Sequence, residues 1–207
     1  IMVALTEYNG RYFESEFEAA FIGFLEAEGW TYSAGNQINR VTKRDVLIAD
    51  DFKKFLTDTN PDLAEEEITQ IFDNVRLVGG ESDFATLHKV YGWMVDGVQF
   101  TPQNGLARMV PLIDFEPKNG KSKNIFRVVN QLALEYTNNG QKETRRPDVI
   151  LYVNGLPLCV IELKNPTDEK ATIYDAWEQI TIRYWRDIPH LLHYCPLAVS
   201  YTHLTLP

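Results

Sequence analysis

The stretch RPDVILYVNGLPLCVIELK, residues 146 to 164, constrains the fold more tightly than any other part of the chain. Two apolar, β-branched runs, Val149 to Val153 and Leu156 to Ile161, flank Asn154-Gly155. Asn-Gly between two such runs is the strongest short-range signal for a β-hairpin. Ionised residues stand at the open ends, Asp148 before the first run and Glu162 and Lys164 after the second. A charged group at the edge of an apolar sheet needs a partner or a metal ion. Two carboxylates and a lysine are also what metal-dependent phosphodiester cleavage requires. The carboxylates share a divalent cation, and the lysine orients or activates the attacking water and steadies the phosphate.

The turn decides whether those groups meet. A plain two-residue turn would set Val153 against Leu156 and Asp148 against Ile161, leaving Glu162 on the opposite face, because a slip of one residue reverses the face. A three-residue turn with Gly155 as a left-handed bulge residue sets Asp148 against Glu162. The spacing therefore predicts a bulged hairpin carrying Asp148, Glu162 and Lys164 on one face. On the bare motif an ordinary reading competes, with Asp148 in a surface ion pair to Arg145 or Arg146 and Glu162 to Lys164 as a plain strand edge.

A chain of 207 residues fits one α/β domain, or one domain with a small insertion. It contains no apolar run of about 18 residues and no signal-peptide pattern at its start. It is expected to be neither membrane-spanning nor secreted, which fits a cytoplasmic location. The net charge of −9 argues against a free-standing DNA-binding protein. It leaves room for a nuclease held on DNA by local basic clusters or by a larger complex. Lys142, Arg145, Arg146 and Lys164 lie near the hairpin's charged end. Cys159 and Cys195 lack metal-type spacing and read as reduced core thiols.

Before the hairpin, residues 12 to 28 read as an amphipathic helix. Phe13, Phe17, Phe21, Phe24 and Leu25 form its stripe, and Gly29 is its stop. Glu14 and Glu18 lie one turn apart beside that stripe, and taken alone they read as a solvated acidic flank. Residues 37 to 80 look helical, with a new helix starting at Thr59-Asn60-Pro61-Asp62 and Glu65, Glu66 and Glu67 suited to its positive N-terminal dipole. Asp83 to Tyr91 reads as a short helix ended by Gly92. Strands are expected at Gly97 to Phe100, Met109 to Phe115 and Asn124 to Tyr136, with polar connections at 116–124 and 137–142. Gly120-Lys121-Ser122 is no phosphate loop, because Phe115 stands where that loop needs its first glycine. After the break at Asn165-Pro166, residues 169 to 187 read as a helix and 188 to 199 as a turn and a last buried strand. His190 and His193 lack the further ligands of a zinc site and read as packing or solvent residues.

With these motifs in place, the chain resembles the N-terminal nuclease domain of type I restriction endonuclease motor (R) subunits, within the PD-(D/E)xK superfamily. Pro147-Asp148 matches the PD element and Glu162-Leu163-Lys164 the ExK element, inside about twenty residues that resemble this family beyond the superfamily pattern. FESEFEAAFIGFLEAEGW, VPLIDFEPKN with NIFRVVNQ, and AWEQITIRYWRDIP extend the likeness over roughly residues 12 to 200.

The resemblance implies an α/β (α+β) restriction-endonuclease-like core, a central mixed β-sheet flanked by helices, with a helical insertion at about 37–95. It implies Mg²⁺ bound by Asp148, Glu162 and the Leu163 carbonyl, with Lys164 at the attacking water. Glu18, eleven residues before Gly29, would complete the site from the first helix, with Glu14 as the weaker substitute. It also implies a role for Gln179 and Tyr184, although here they are five apart where the family motif is Gln-xxx-Tyr, and Arg183 holds the four-apart place. The implied partners are double-stranded DNA and the methyltransferase (M) and specificity (S) subunits of a restriction complex. ATP belongs to motor domains whose motifs this chain lacks. Residues 201–207, YTHLTLP, do not read like the family. Another superfamily nuclease, for repair or junction resolution, is the nearest rival, and a non-catalytic docking module of the restriction complex is the second.

Overall fold

The computed structural model describes residues 14–80, 82–117, 120–163 and 177–201. Its centre is a five-stranded mixed sheet in the order β1 (Thr31–Ala34), β4 (Phe126–Asn130), β7 (Val149–Val153), β8 (Leu156–Leu163), β9 (Leu197–Tyr201). The two middle pairings, β4 with β7 and β7 with β8, are antiparallel, and the outer strands β1 and β9 join in parallel. Helices cover both faces, as the resemblance implies. No helix among the described residues is long and apolar enough to cross a membrane.

Alternation along the strands sends side chains to two cores. Val128, Val149, Cys159, Ile161 and Leu163 pack against α1 (Glu14–Ala27) through Ile22 and Leu25. Ile150, Tyr152 and Val160 enter the larger core. That core is completed by α2 (Ala49–Thr59), α3 (Glu65–Arg76) and α4 (Asp83–Asp96), which supply Phe52, Phe55, Leu56, Ile71, Phe72, Val75, Val90 and Met94. Asp51 of α2 holds the Arg127 guanidinium of β4 in a two-pronged pair at 2.6 and 2.7 Å, and Ser33 of β1 accepts from the same guanidinium. The helical segment is thereby tied to the sheet.

The hairpin differs from expectation in an instructive way. Asn154 (φ 52°) and Gly155 (φ 75°) form a two-residue turn with both residues left-handed, and Val153 faces Leu156. The extra residue enters later. Tyr152 faces Pro157 while Leu151 faces Cys159, so Leu158 is the bulge. From there Val149 faces Ile161, and continuing the register sets Asp148 against Glu162. The pairing is the predicted one, but the device is a bulge inside β8 and not a three-residue turn. Pro157 is the local reason, since a proline in an interior strand cannot donate to the ladder and is confined to such irregularities.

Other elements correct the sequence reading. Gly92 does not end α4, because Trp93, Met94 and Val95 continue it and Met94 is buried; Gly97 (φ 89°) is the actual stop. Thr59 closes α2, and α3 starts only at Glu65, where Glu67 accepts from the Ala64 backbone N–H at 2.9 Å. The expected strand from Asn124 to Tyr136 breaks at Gln131 (φ 49°) into β4 and β5 (Leu134–Asn138). β5 pairs with β6 (Gln141–Arg145) around a second Asn-Gly turn, Asn139-Gly140. The strand expected at Met109 to Phe115 shrinks to β3 (Arg108–Val110), which pairs with β2 (Val98–Phe100). In α1 the buried face centres on Leu25 and Ile22, leaving Phe24 on its margin and 62% exposed.

The last helical segment includes a π-helix, Gln179–Tyr184, followed by α5 (Trp185–Asp187) and α6 (Pro189–Leu192). Lys164, Phe13 and the first part of the helix expected at 169–187 lie outside the described residues. Both cysteines are buried free thiols, and burial pushes Cys159 up to about 11. His193 meets Asp83 at 2.8 Å, and burial lowers His190 to about 4.

Gly155 is the point on which the hairpin's placement turns. A Cβ there would come 2.2 Å from the Ile48 carbonyl oxygen at a backbone conformation that side chains disfavour. Gly155→Ala should therefore cost about 2–4 kcal/mol, beyond the usual penalty for lost left-handed freedom. A urea midpoint indistinguishable from the parent would show that the turn does not press on α2.

Candidate active site

The site forms where β4, β7 and β8 end together. Glu162, the penultimate residue of β8, is 1% exposed. Its Oε2 accepts from Gln179 Nε2 at 2.6 Å, and its Oε1 accepts from the Tyr184 hydroxyl. Gln179 Nε2 also donates to the Tyr184 oxygen at 3.1 Å, which joins these three side chains to one another. Burial first, and the Glu162 carboxylate second, raise the Tyr184 phenol far above its ordinary range. Tyr184 therefore keeps its proton and acts as a donor.

The π-helix explains how these two residues meet. In an α-helix, residues four apart share a face; the wider π-helix bonds residue i to i+5 and stacks residues five apart. Gln179 and Tyr184 have that spacing, so both reach Glu162. The five-residue interval is accommodated by the wider turn. Arg183, in the four-apart place, lines a polar hollow with Gln179, Tyr184, Thr144, Arg145 and Arg146.

Asp148 is half-buried just ahead of β7. Its Oδ2 accepts from the Leu163 backbone N–H at 2.8 Å, and its Oδ1 accepts from Gln131 Nε2 at 3.3 Å. The same Gln131 amide donates to Glu18 Oε2 at 2.9 Å, while Asn130 Nδ2 donates to Glu18 Oε1 at 2.6 Å. Glu18 thus reaches the end of the sheet from α1 and is joined to Asp148 through one amide. Neither Arg145 nor Arg146 pairs with Asp148. Arg145 instead holds Asp187 at 2.6 Å.

Among the described residues, the donors reaching Asp148 and Glu18 are neutral amides and a backbone N–H. No Lys or Arg among the described residues pairs with either carboxylate. No three His, Cys, Asp or Glu side chains among the described residues form a ready-made metal cluster. Magnesium does not need one, since it keeps several waters and uses one or two carboxylates with substrate oxygens. Asp148 and Glu162, hard oxygen donors opposite each other across β7 and β8, fit that requirement.

The structure therefore brings Asp148, Glu162, Gln179 and Tyr184 together and links Glu18 to them, while Lys164 lies outside the described residues. Sequence reading missed Asn130 and Gln131. The available signal was a pair of amides, Asn130 and Gln131, ending the strand-like run Phe126 to Val129.

A family model described as the type I restriction enzyme R protein N terminus matches residues 12–205, five residues into the segment set apart above as unlike the family. The chain is 33% identical over 192 residues to a putative type I restriction enzyme MjaIXP endonuclease subunit of Methanocaldococcus jannaschii, covering 88% of this chain and 18% of that protein. It is 32% identical over 180 residues to the type I restriction enzyme HindI endonuclease subunit of Haemophilus influenzae, covering 80% and 16% respectively. The chain thus spans less than a fifth of these relatives' length.

Removing the phenol tests the network directly. Tyr184→Phe deprives a buried carboxylate of a donor and should cost about 1–3 kcal/mol when unfolding is followed without divalent ions. Unchanged stability would mean that Tyr184 does not hold Glu162.

Proposed function

This chain belongs to the type I restriction enzyme R protein N-terminal family, and from that premise we propose that it hydrolyses DNA phosphodiester bonds with a divalent metal ion. The observation carrying this reading is the register of β7 on β8, which opposes Asp148 and Glu162 at one end of the sheet. Asp148, Glu162 and the Leu163 carbonyl would hold Mg²⁺. When bound, that ion supplies Lewis acidity to the phosphate and lowers the pKa of an attacking water.

The chain's own groups prepare the site. The Leu163 N–H fixes the Asp148 carboxylate, and Gln179 with Tyr184 fixes that of Glu162. These donors restrict both carboxylates before substrate arrives, so little reorganisation remains for the reaction. Glu18 adds a further carboxylate through the Gln131 amide. Lys164 is assigned the water and the developing phosphate charge on its place in the ExK element.

As part of a longer R subunit, this domain would cut double-stranded DNA after ATP-driven translocation by motor domains. Methyltransferase and specificity subunits would supply recognition in the cytoplasm. Both relatives are named as endonuclease subunits, which supports the reading.

Nicking of supercoiled plasmid in Mg²⁺ provides the test, with the chain alone and restored to a full R subunit with partners and ATP. Asp148→Ala and Glu162→Gln should each lower cutting by about a hundredfold or more, consistent with loss of several kcal/mol of transition-state stabilisation. ATP hydrolysis by the restored subunit should persist. Undiminished cutting by both variants would place the chemistry elsewhere.

A further inference from the structure

Two hollows border the amides and the phenol that hold the carboxylates, and Arg146 lines both. The first, about 640 Å³, is bordered by Asn130 and Gln131, the amides that hold Glu18 and Asp148, and carries Arg40 and Lys43. The second, about 530 Å³, is bordered by Gln179 and Tyr184, the partners of Glu162, and carries Arg145 and Arg183. Among the described residues, neither hollow has an Asp or Glu in its lining. That is notable in a chain with 29 acidic residues against 20 basic ones. A local concentration of positive charge set against the overall sign marks a site for a polyanion.

The cations divide into two sets. Arg40 donates to the carbonyls of Asp45 and Ala133, and Arg145 is committed to Asp187, so both serve the fold. Arg146 and Lys43 are exposed and make no ion pair with the described residues. Arg183 has only a long contact of 3.9 Å to Glu178. These three are placed to receive an external anion, one at the junction of the hollows and one in each.

We propose that the two hollows form a single groove for the phosphate backbone of the DNA strand to be cut, with Arg146 contacting a phosphate beside the carboxylates and Lys43 and Arg183 contacting phosphates on either side. This rests on the nuclease reading for its substrate. The contacts are to backbone, so they position the strand without reading its sequence.

Fluorescence anisotropy with a labelled DNA duplex in EDTA separates binding from cutting. Arg146→Ala should weaken binding roughly tenfold and lower the slope of log affinity against log salt by about one. Lys43→Ala and Arg183→Ala should each lower that slope similarly. Lys54→Ala, which removes an exposed lysine already paired with Asp58, should leave both readouts unchanged. Circular dichroism of each variant establishes that the fold is retained. Absence of duplex binding by the parent chain, or unchanged affinity and slope in folded Arg146→Ala, would overturn the groove. The nuclease reading is judged separately by Asp148→Ala, which should still bind DNA in EDTA but fail to cut in Mg²⁺. Charge-dependent binding without cutting by any form would sink the chemistry and leave the groove standing.

Discussion

Everything at this site depends on one extra residue in β8. With the two-residue turn alone, Asp148 and Glu162 would lie on opposite faces of the sheet; the bulge at Leu158 restores them to one. The turn that feeds the bulge is held on several sides. Asn154 is fully buried and exchanges hydrogen bonds with the Ile125 backbone, while its amide donates to the Leu112 carbonyl and to Asn124. Gly155 gives its carbonyl to the Ile48 N–H at the start of α2. A hairpin anchored in this way has little freedom to slip, so the opposition of the two carboxylates is a property of the fold.

A second irregularity serves the same carboxylate from the opposite side. The π-helix widens the last helical segment just where Gln179 and Tyr184 must converge on Glu162. A bulge in a strand and a widened turn in a helix are both one-residue adjustments that re-aim side chains, and both bear on the surroundings of Glu162. The neighbouring charge is arranged with equal economy. Amides orient Asp148 and Glu18, while the guanidiniums nearby are either spent on the fold or exposed in the hollows.

Much of this was legible in the sequence. Asn154-Gly155 between apolar runs identified the hairpin, and the positions of Asp148 and Glu162 required an irregularity to bring them together. The location was misassigned because attention fell on Gly155, whereas Pro157 was the residue that could not join an interior ladder. The π-helix was hidden because spacing in a sequence is normally read at 3.6 residues per turn; only the five-residue interval between Gln179 and Tyr184 hinted at it. Gln131 escaped notice because its role arises from a local backbone bend and from α1, which is more than a hundred residues away. Gly92 misled for the opposite reason: a glycine does not by itself end a helix, and here the helix continues to bring Met94 into the core.

The central claim is that Asp148 and Glu162 belong to one divalent-metal site. Titration of the chain with Mn²⁺, followed by electron paramagnetic resonance of the free ion, tests it without requiring DNA cleavage. Stoichiometric binding by the parent chain, displaced by Mg²⁺ and lost in both Asp148→Asn and Glu162→Gln while circular dichroism stays unchanged, is the predicted result. Equal Mn²⁺ binding by the parent and both variants would contradict it.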